Sequence, residues 1–446
     1  MSRNRCDGLL AKVDFPLYTL QTLTNRHVLV AGGGGASNTG VANGFEIFEL
    51  SHNGTRFVAE EVMRYETGPN VVMTCSVQNV QNRIYLAAGQ ESHCQLYKVN
   101  VKMVDAAEMR RGSFRAENGL VRRRRTISEN DNISKMENHN HTTDKRMSFE
   151  IRPCDSIQTD FGTDPLQRVV TISHDGKLMA TGGVDGKVRV WSFPKMQLLF
   201  ELQGHKKELD DLDFSPCDSR LVSIAKDGQA LVWDTKTKKP PLLSLTCQPP
   251  NGTKYLFRRC KFGDIEDRKG EYRMFTIANP LTRSGKQKGL VQLWEPTSGQ
   301  LRKTVVVMES LSALAVRDDG RFVGVGTMFS GSVDIYIAFS LQRVLHVAGA
   351  HGMFVTGLQW LRARGAPLSI QFRVLHVAGA HGMFVTGLQW LRARGAPLSA
   401  RSEAALLSIS VDNRLVVHTL PCPGERHVTH ARTPKAGFGG GQLFFV

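Results

Sequence analysis

Two sets of residues in this 446-residue chain have the types and spacing to do chemistry. The first is the run Gly32-Gly33-Gly34-Gly35-Ala36-Ser37-Asn38-Thr39-Gly40-Val41-Ala42-Asn43-Gly44, set between the strand-like apolar runs His27 to Ala31 and Phe45 to Leu50. Consecutive glycines lack Cβ atoms, so this backbone can take positive φ and approach another surface closely. A phosphate-cradling loop needs Gly-Lys-[Ser/Thr] and a helix behind it, and a dinucleotide fingerprint also opens a helix. Here no Lys follows, and the next residues alternate like a strand. Two readings stay open: a plain inter-strand loop, or an ordered protruding loop whose carbonyls face a hard cation. In the second reading Ser37, Asn38, Thr39 and Asn43 add side-chain oxygens. The other set is His205, Ser223 and Asp227, which have the residue types of a hydrolase triad. Trp233 belongs with them and changes their meaning.

The elements that must position these residues explain why. Gly204-His205 opens a unit that continues through Leu209 to Phe214, Arg220 to Ala225, Lys226-Asp227-Gly228 and Ala230 to Trp233-Asp234. A Gly-His start, a Trp-Asp end and alternating strands between them mark a WD-repeat propeller blade. His205, Ser223, Asp227 and Trp233 are then the hydrogen-bond tetrad that ties such a blade together, a structural role. Val169 to Trp191 repeats the pattern, with Asp-Gly hairpin turns at Asp175-Gly176 and Asp185-Gly186. Weaker units run along the rest of the chain and bring the total to seven. The fold class expected is all-β, a seven-bladed WD-repeat β-propeller with a disordered insertion between blades two and three. The expected divisions are an N-terminal extension over 1–14, blades one and two over 15–100, a disordered polar and basic insertion over 101–148, blades three to seven over 149–420, and an atypical tail over 421–446.

Composition fits a soluble globular chain, with 41% apolar and 22% charged residues. The eight cysteines form no Cys-x-x-Cys pair and read as free thiols. No apolar leader opens the chain, and no run reaches the length of a membrane span. The formal charge of +16 invites a nucleic-acid reading. Its distribution argues against one. From Arg343 onward there are 11 Lys and Arg against 3 Asp and Glu, and Lys102 to Ser148 holds 11 against 7. Neither stretch interleaves basic and aromatic residues as single-strand binders do.

Residues 343–369 and 373–399 are identical, letter for letter. Blades diverge in sequence, so such identity points to a recent duplication or a gene-model error, not to an eighth blade. One copy suffices for the outer strand of blade six and the first strand of blade seven. The other must loop out or add a surplus hairpin.

Several runs resemble one family. They are Phe15-Pro16-Leu17-Tyr18, the glycine run through Asn43-Gly44, Ala87 to Leu96, Gln158-Thr159-Asp160-Phe161, Asp164 to Gln167, and Gly331 to Gln342. Together they resemble the WD-repeat guanine-nucleotide exchange factors that include prolactin regulatory element-binding protein and yeast Sec-twelve, over residues 15–100 and 149–420. The resemblance implies a partner, a Sar-type small GTPase, and a role in starting COPII coat assembly on the cytosolic face of the endoplasmic reticulum. It implies no covalent chemistry. It also implies that the glycine loop binds potassium and inserts near the partner's nucleotide. Carried over, the exchange residues are Asn43, Asn38 and Thr39. The loop's binding positions are Gly32, Gly33, Gly34, Gly35 and Ser37, and its potassium ligands are among Gly34, Gly35, Asn38 and Asn43. Asn43 is the side chain expected to matter most, at the working end of the loop. The family ends in a membrane span that the stretch after Leu420 does not show. With the duplication, this leads to the expectation that the gene encodes an anchored protein. The chain as written would be soluble, cytosolic or nuclear. A nuclear promoter-binding role and a non-catalytic scaffold are the alternatives.

Overall fold

A computed structural model describes residues 8–35, 40–53, 56–105, 145–237, 240–247, 249, 253–266, 268–281, 288–351, 357–361, 375–378 and 402–421. Among them there are strands and no helix. The strands form seven sheets, antiparallel apart from one added strand, and the first strand of each packs beside the first strand of the next all the way round a ring. This is the seven-bladed WD-repeat propeller that the sequence predicts.

Blade one is Leu17–Thr22, His27–Gly32, Gly44–His52 and Phe57–Glu66. Its second and third strands are apolar on both faces because a blade lies between two others: Val28, Leu29, Val30, Phe45, Ile47 and Leu50 are all fully buried. Val28 and Val30 pack toward blade seven, while Leu29, Ala31, Phe45 and Ile47 pack toward blade two. Each such side chain contributes about 1.5–3 kcal/mol on burial. The blades thus hold one another through their faces, not through a single central core.

Three sequence expectations change. The insertion does not lie between blades two and three. The third strand of blade two, His93–Asp105, and its fourth, Lys145–Gln158, pair from His93↔Gln158 out to Asp105↔Lys145. Residues 101–105 and 145–148 are therefore strand, and the insertion interrupts a hairpin within blade two. Alternating apolar residues such as Val101, Met103 and Met147 carried that signal, but charged neighbours masked it. The expected disorder falls on 106–144, outside the described residues. Second, Leu9–Lys12 is no extension. It pairs with Arg414–Pro421 as the outermost strand of blade seven, so the start of the chain closes the ring.

Third, the duplication is resolved in favour of its first copy. Arg343–Ala348 is the outer strand of blade six, and Gly357–Leu361 is the first strand of blade seven, paired with Ser402–Ile409. From the second copy, Leu375–Ala378 adds a fifth strand to blade six. It is a parallel strand, where the sequence led to a loop-out or a surplus hairpin. The remainder of that copy and the tail beyond Pro421 lie outside the described residues.

Candidate functional site: the glycine loop of blade one

In an antiparallel blade, the turn between strands two and three and the link to the next blade emerge at the same end of the sheet. The glycine loop (33–43) therefore shares a face of the ring with the link Thr67-Gly68-Pro69-Asn70 that leads into blade two. The base of the loop is built from that proximity. Gly32 and Gly44 stand opposite each other as the last strand pair. A Cβ on Gly32 would lie 1.8 Å from the carbonyl oxygen of Pro16, so no other residue fits there without moving backbone. Gly33 has φ +144°, and its N–H donates to Pro16 O at 3.0 Å. A Cβ at Gly33 would sit 2.0 Å from Asn43 Oδ1.

Asn43 is 5% exposed and fastens this base. Its Oδ1 accepts from Gly35 N–H at 2.9 Å. Its Nδ2 shares two hydrogens among Gly35 O at 3.2 Å, Gly68 O at 3.0 Å and Pro69 O at 3.1 Å. Its backbone carbonyl accepts from Thr67 N–H at 3.0 Å, and Thr67 Oγ1 donates to Asn70 O at 2.9 Å. The loop is thus pinned to the blade-to-blade link. The described root of the loop is therefore ordered against that link. Asn43 lies at the root of the loop, not at an exposed tip, and its side chain is turned inward.

The other expected residues fall into two groups. Gly32 and Gly33 are buried, while Gly34 and Gly35 are half-buried where the loop leaves the sheet. Ser37, Asn38 and Thr39 lie outside the described residues. Sequence reasoning missed Gly68, Pro69 and Pro16, whose carbonyls do half of the fastening. The only signal was the Gly-Pro pair after the outer strand of blade one, which marks a turn but not its partner.

Three carbonyl oxygens, from Gly35, Gly68 and Pro69, converge on one point, now held by the Asn43 amide nitrogen. Carbonyl oxygens suit hard cations such as those of the alkali and alkaline-earth groups. Among the described residues no cluster of three His, Cys, Asp or Glu side chains offers a site for a softer metal. In the structure these oxygens accept from the Asn43 amide, so a cation at this point would have to displace it.

Two residues beyond Gly44, Glu46 is 3% exposed with its carboxyl 3.4 Å from Arg64 Nη1. Burial, reinforced by Glu61, pushes that carboxyl up to about 7 against the pull of Arg64. Arg64 also reaches Asp14 at 3.5 Å and lies over the Phe15 ring, next to Pro16. One ion-pair cluster therefore backs the strand from which the loop returns.

The triad-like residues are structural, as expected. His205 Nε2 lies 2.7 Å from Ser223 Oγ, to which Trp233 Nε1 donates at 2.8 Å, and His205 Nδ1 lies 3.1 Å from Asp227. Blade seven repeats the tetrad with an imidazole in place of the indole: Ser408 Oγ lies 2.5 Å from His351 Nε2 and 2.8 Å from His418 Nε2. Sequence reasoning missed this second tetrad.

Residues 160–192 and 196–234 match the family model described as "WD domain, G-beta repeat". These segments cover blades three and four, and the class they define is the WD-repeat propeller. More of the chain is matched by whole relatives. The guanine nucleotide-exchange factor SEC12 of Rattus norvegicus and that of Mus musculus are each 31% identical over 420 residues, 92% of this chain and 90% of theirs. SEC12-like protein 1 of Arabidopsis thaliana is 32% identical over 75 residues, 17% of this chain and 19% of that protein. The chain belongs to the SEC12 family of guanine-nucleotide exchange factors, as its resemblance implied. Among the described residues no helix is long and apolar enough to cross a membrane.

Proposed function

We propose that this protein accelerates GDP release from a small GTPase of the Sar type, and so starts COPII coat assembly at the endoplasmic reticulum. The observation that carries this is family membership over nearly the whole chain, with the glycine loop inside the matched ring. The built base of that loop supports it. A rigid platform projecting a fastened loop is what a protein needs to enter another protein's site at fixed geometry.

The mechanism is a coupling of two affinities. A partner that binds the nucleotide-free GTPase more tightly than the GDP-bound form must weaken GDP binding by the same factor. Gly32, Gly33 and Gly44 set where the loop leaves the sheet, and Asn43 holds its two arms and the Gly68-Pro69 link together. Ser37, Asn38 and Thr39 are the residues that would meet the partner. A potassium ion would be held by the carbonyls of Gly35 and its neighbours, and would supply fixed positive charge that stiffens the loop.

The test is release of a fluorescent GDP analogue from a Sar-type GTPase, with and without this protein, in potassium and in sodium buffer. Acceleration of tenfold or more, larger in potassium, is expected. Release at the uncatalysed rate in both buffers would overturn the proposal.

A further inference from the structure

Among the described residues six blades have four strands and blade six has five. The extra strand, Leu375–Ala378, lies against the outer edge of Arg343–Ala348. The pairing is parallel and in register: Leu345↔Leu375, His346↔His376, Val347↔Val377 and Ala348↔Ala378. Each residue thus faces its own duplicate. Ring closure does not require this strand, because the first copy already supplies both ring strands of the repeat.

An outer strand of a sheet presents a row of unpaired N–H and C=O groups that template another strand. On blade six that row is in use. We infer that the outer edge of blade six is a binding site for an extended peptide strand of alternating apolar character, and that the second copy is its occupant in cis. The chemistry recognised is main-chain hydrogen bonding in parallel register, of the kind that adds a strand to a sheet. The acceptor strand is firm, since Val344 and Leu345 are buried against the propeller core. Like-on-like parallel stacking is also the arrangement that identical segments favour.

Tethering makes the cis strand hard to displace. Only residues 362–374 separate Leu361 from Leu375, and a covalent connection of that length gives an effective concentration on the order of millimolar. A four-residue pairing is weak alone, so a peptide in trans competes only once the cis strand is gone.

Two variants remove the occupant without touching a ring residue. Deletion of 370–399 excises the second copy and shortens the connection between Leu361 and Ser402. The double substitution His376→Pro with Val377→Pro keeps the chain length. Adjacent prolines remove the N–H of whichever residue points at the acceptor strand. The probe is a fluorescein-labelled peptide of residues 373–381, with a scrambled peptide as control, read by anisotropy. Both variants should bind the probe at least tenfold more tightly than the intact chain, and should not bind the scrambled peptide. If the deletion fails to fold, the proline pair decides alone. Equal binding by the intact chain and the variants would overturn the inference, as would no binding to either variant or equal binding of the scrambled peptide. None of these readouts involves a GTPase, so the outcome is independent of the proposed exchange activity.

Discussion

Replacing Asn43 separates two roles that an asparagine in a carbonyl-lined loop could play. In the structure it is a donor: its Nδ2 meets three carbonyls and its Oδ1 meets one N–H. Each such bond is worth about 0.5–1.5 kcal/mol net. Water replaces some of them at a half-exposed loop, so Asn43→Ala should cost about 3 kcal/mol of local fastening. That is roughly a 100-fold rise in the open population of the loop base. The ring itself should lose little, because the clamp joins two connections and no strand pair depends on it. Amide hydrogen exchange should therefore speed up by about 100-fold at Gly35 and Thr67, with the melting temperature down by only a few degrees. GDP release from the GTPase should slow at least tenfold. Asn43→Asp is the decisive comparison. A carboxylate keeps an oxygen toward Gly35 N–H but sets negative charge against three carbonyls, so it should do at least as much damage as alanine. If Asn43→Asp instead retained exchange and hydrogen-exchange protection, the residue would be acting as an oxygen ligand, and the clamp argument would be refuted. Gly33→Ala supplies a check, because its Cβ would displace Asn43 Oδ1. Combined with Asn43→Ala it should still add a cost of its own, because that Cβ would also lie 2.6 Å from Asn43 Cα and a φ of +144° strains any side chain.

Other outcomes follow from the buried polar groups. Ser223→Ala leaves the indole of Trp233 and the imidazole of His205 without their shared oxygen in the core of blade four. It should cost about 2–4 kcal/mol in urea unfolding while the folded protein keeps its exchange rate; an unchanged midpoint would contradict the tetrad. Acid should destabilise the protein. Burial holds His27 down to about 4 and His418 to about 3, and it lowers His351 as well. Below about pH 6.5 the unfolded chain takes up protons at these histidines that the folded chain refuses, so each removes about 1 kcal/mol per pH unit as pH falls. Glu46 acts oppositely. Its raised carboxyl binds a proton more tightly when folded, so its contribution grows as pH falls from about 7 toward the ordinary carboxylate range. Burial lowers His205 as well, while Asp218 raises His174, so four groups oppose two, and the urea midpoint should fall from pH 6.5 to 4.5; a midpoint that held or rose would show the sign to be wrong. Glu46→Gln should raise stability at pH 8 and leave it nearly unchanged at pH 5, measured the same way.

The fold was legible wherever turn chemistry and strand alternation agreed. Asp227-Gly228 and Trp233-Asp234 marked blade four because each residue type acts locally: glycine at positive φ in the turn, and tryptophan at the strand's closing position. What joined distant parts of the chain was not legible. Leu9–Lys12 is four residues of mixed polarity, and nothing local shows that its partner lies some four hundred residues away. The blade-seven tetrad was hidden twice. Histidine replaces its tryptophan, and the repeat stretches the separation of His351 and Ser408 to 57 residues, against 18 for His205 and Ser223. The spacing of ten from serine to the last tetrad member survives in both blades and was the usable signal. At the glycine loop, the residue types pointed to the right segment. They could not show that Asn43 faces inward, because its partners are main-chain atoms of another connection and carry no side-chain signature.

The repeat leaves the ring with two interchangeable spare parts. Copy one now sits between a five-residue turn at 338–342 and the long connection 362–401. Were copy two to take its place, the turn would lengthen to 338–372 and the connection would shrink to 392–401. Closure entropy depends only on the logarithm of loop length, so that term separates the two threadings by only about 0.5 kcal/mol. Contacts made by the repeat's own side chains cancel between them, because the sequences are the same. Which copy is structural is therefore decided by the few residues just outside the repeat, such as buried Leu341 in the short turn. A single substitution in either copy would act as a vote between two isomers of one chain.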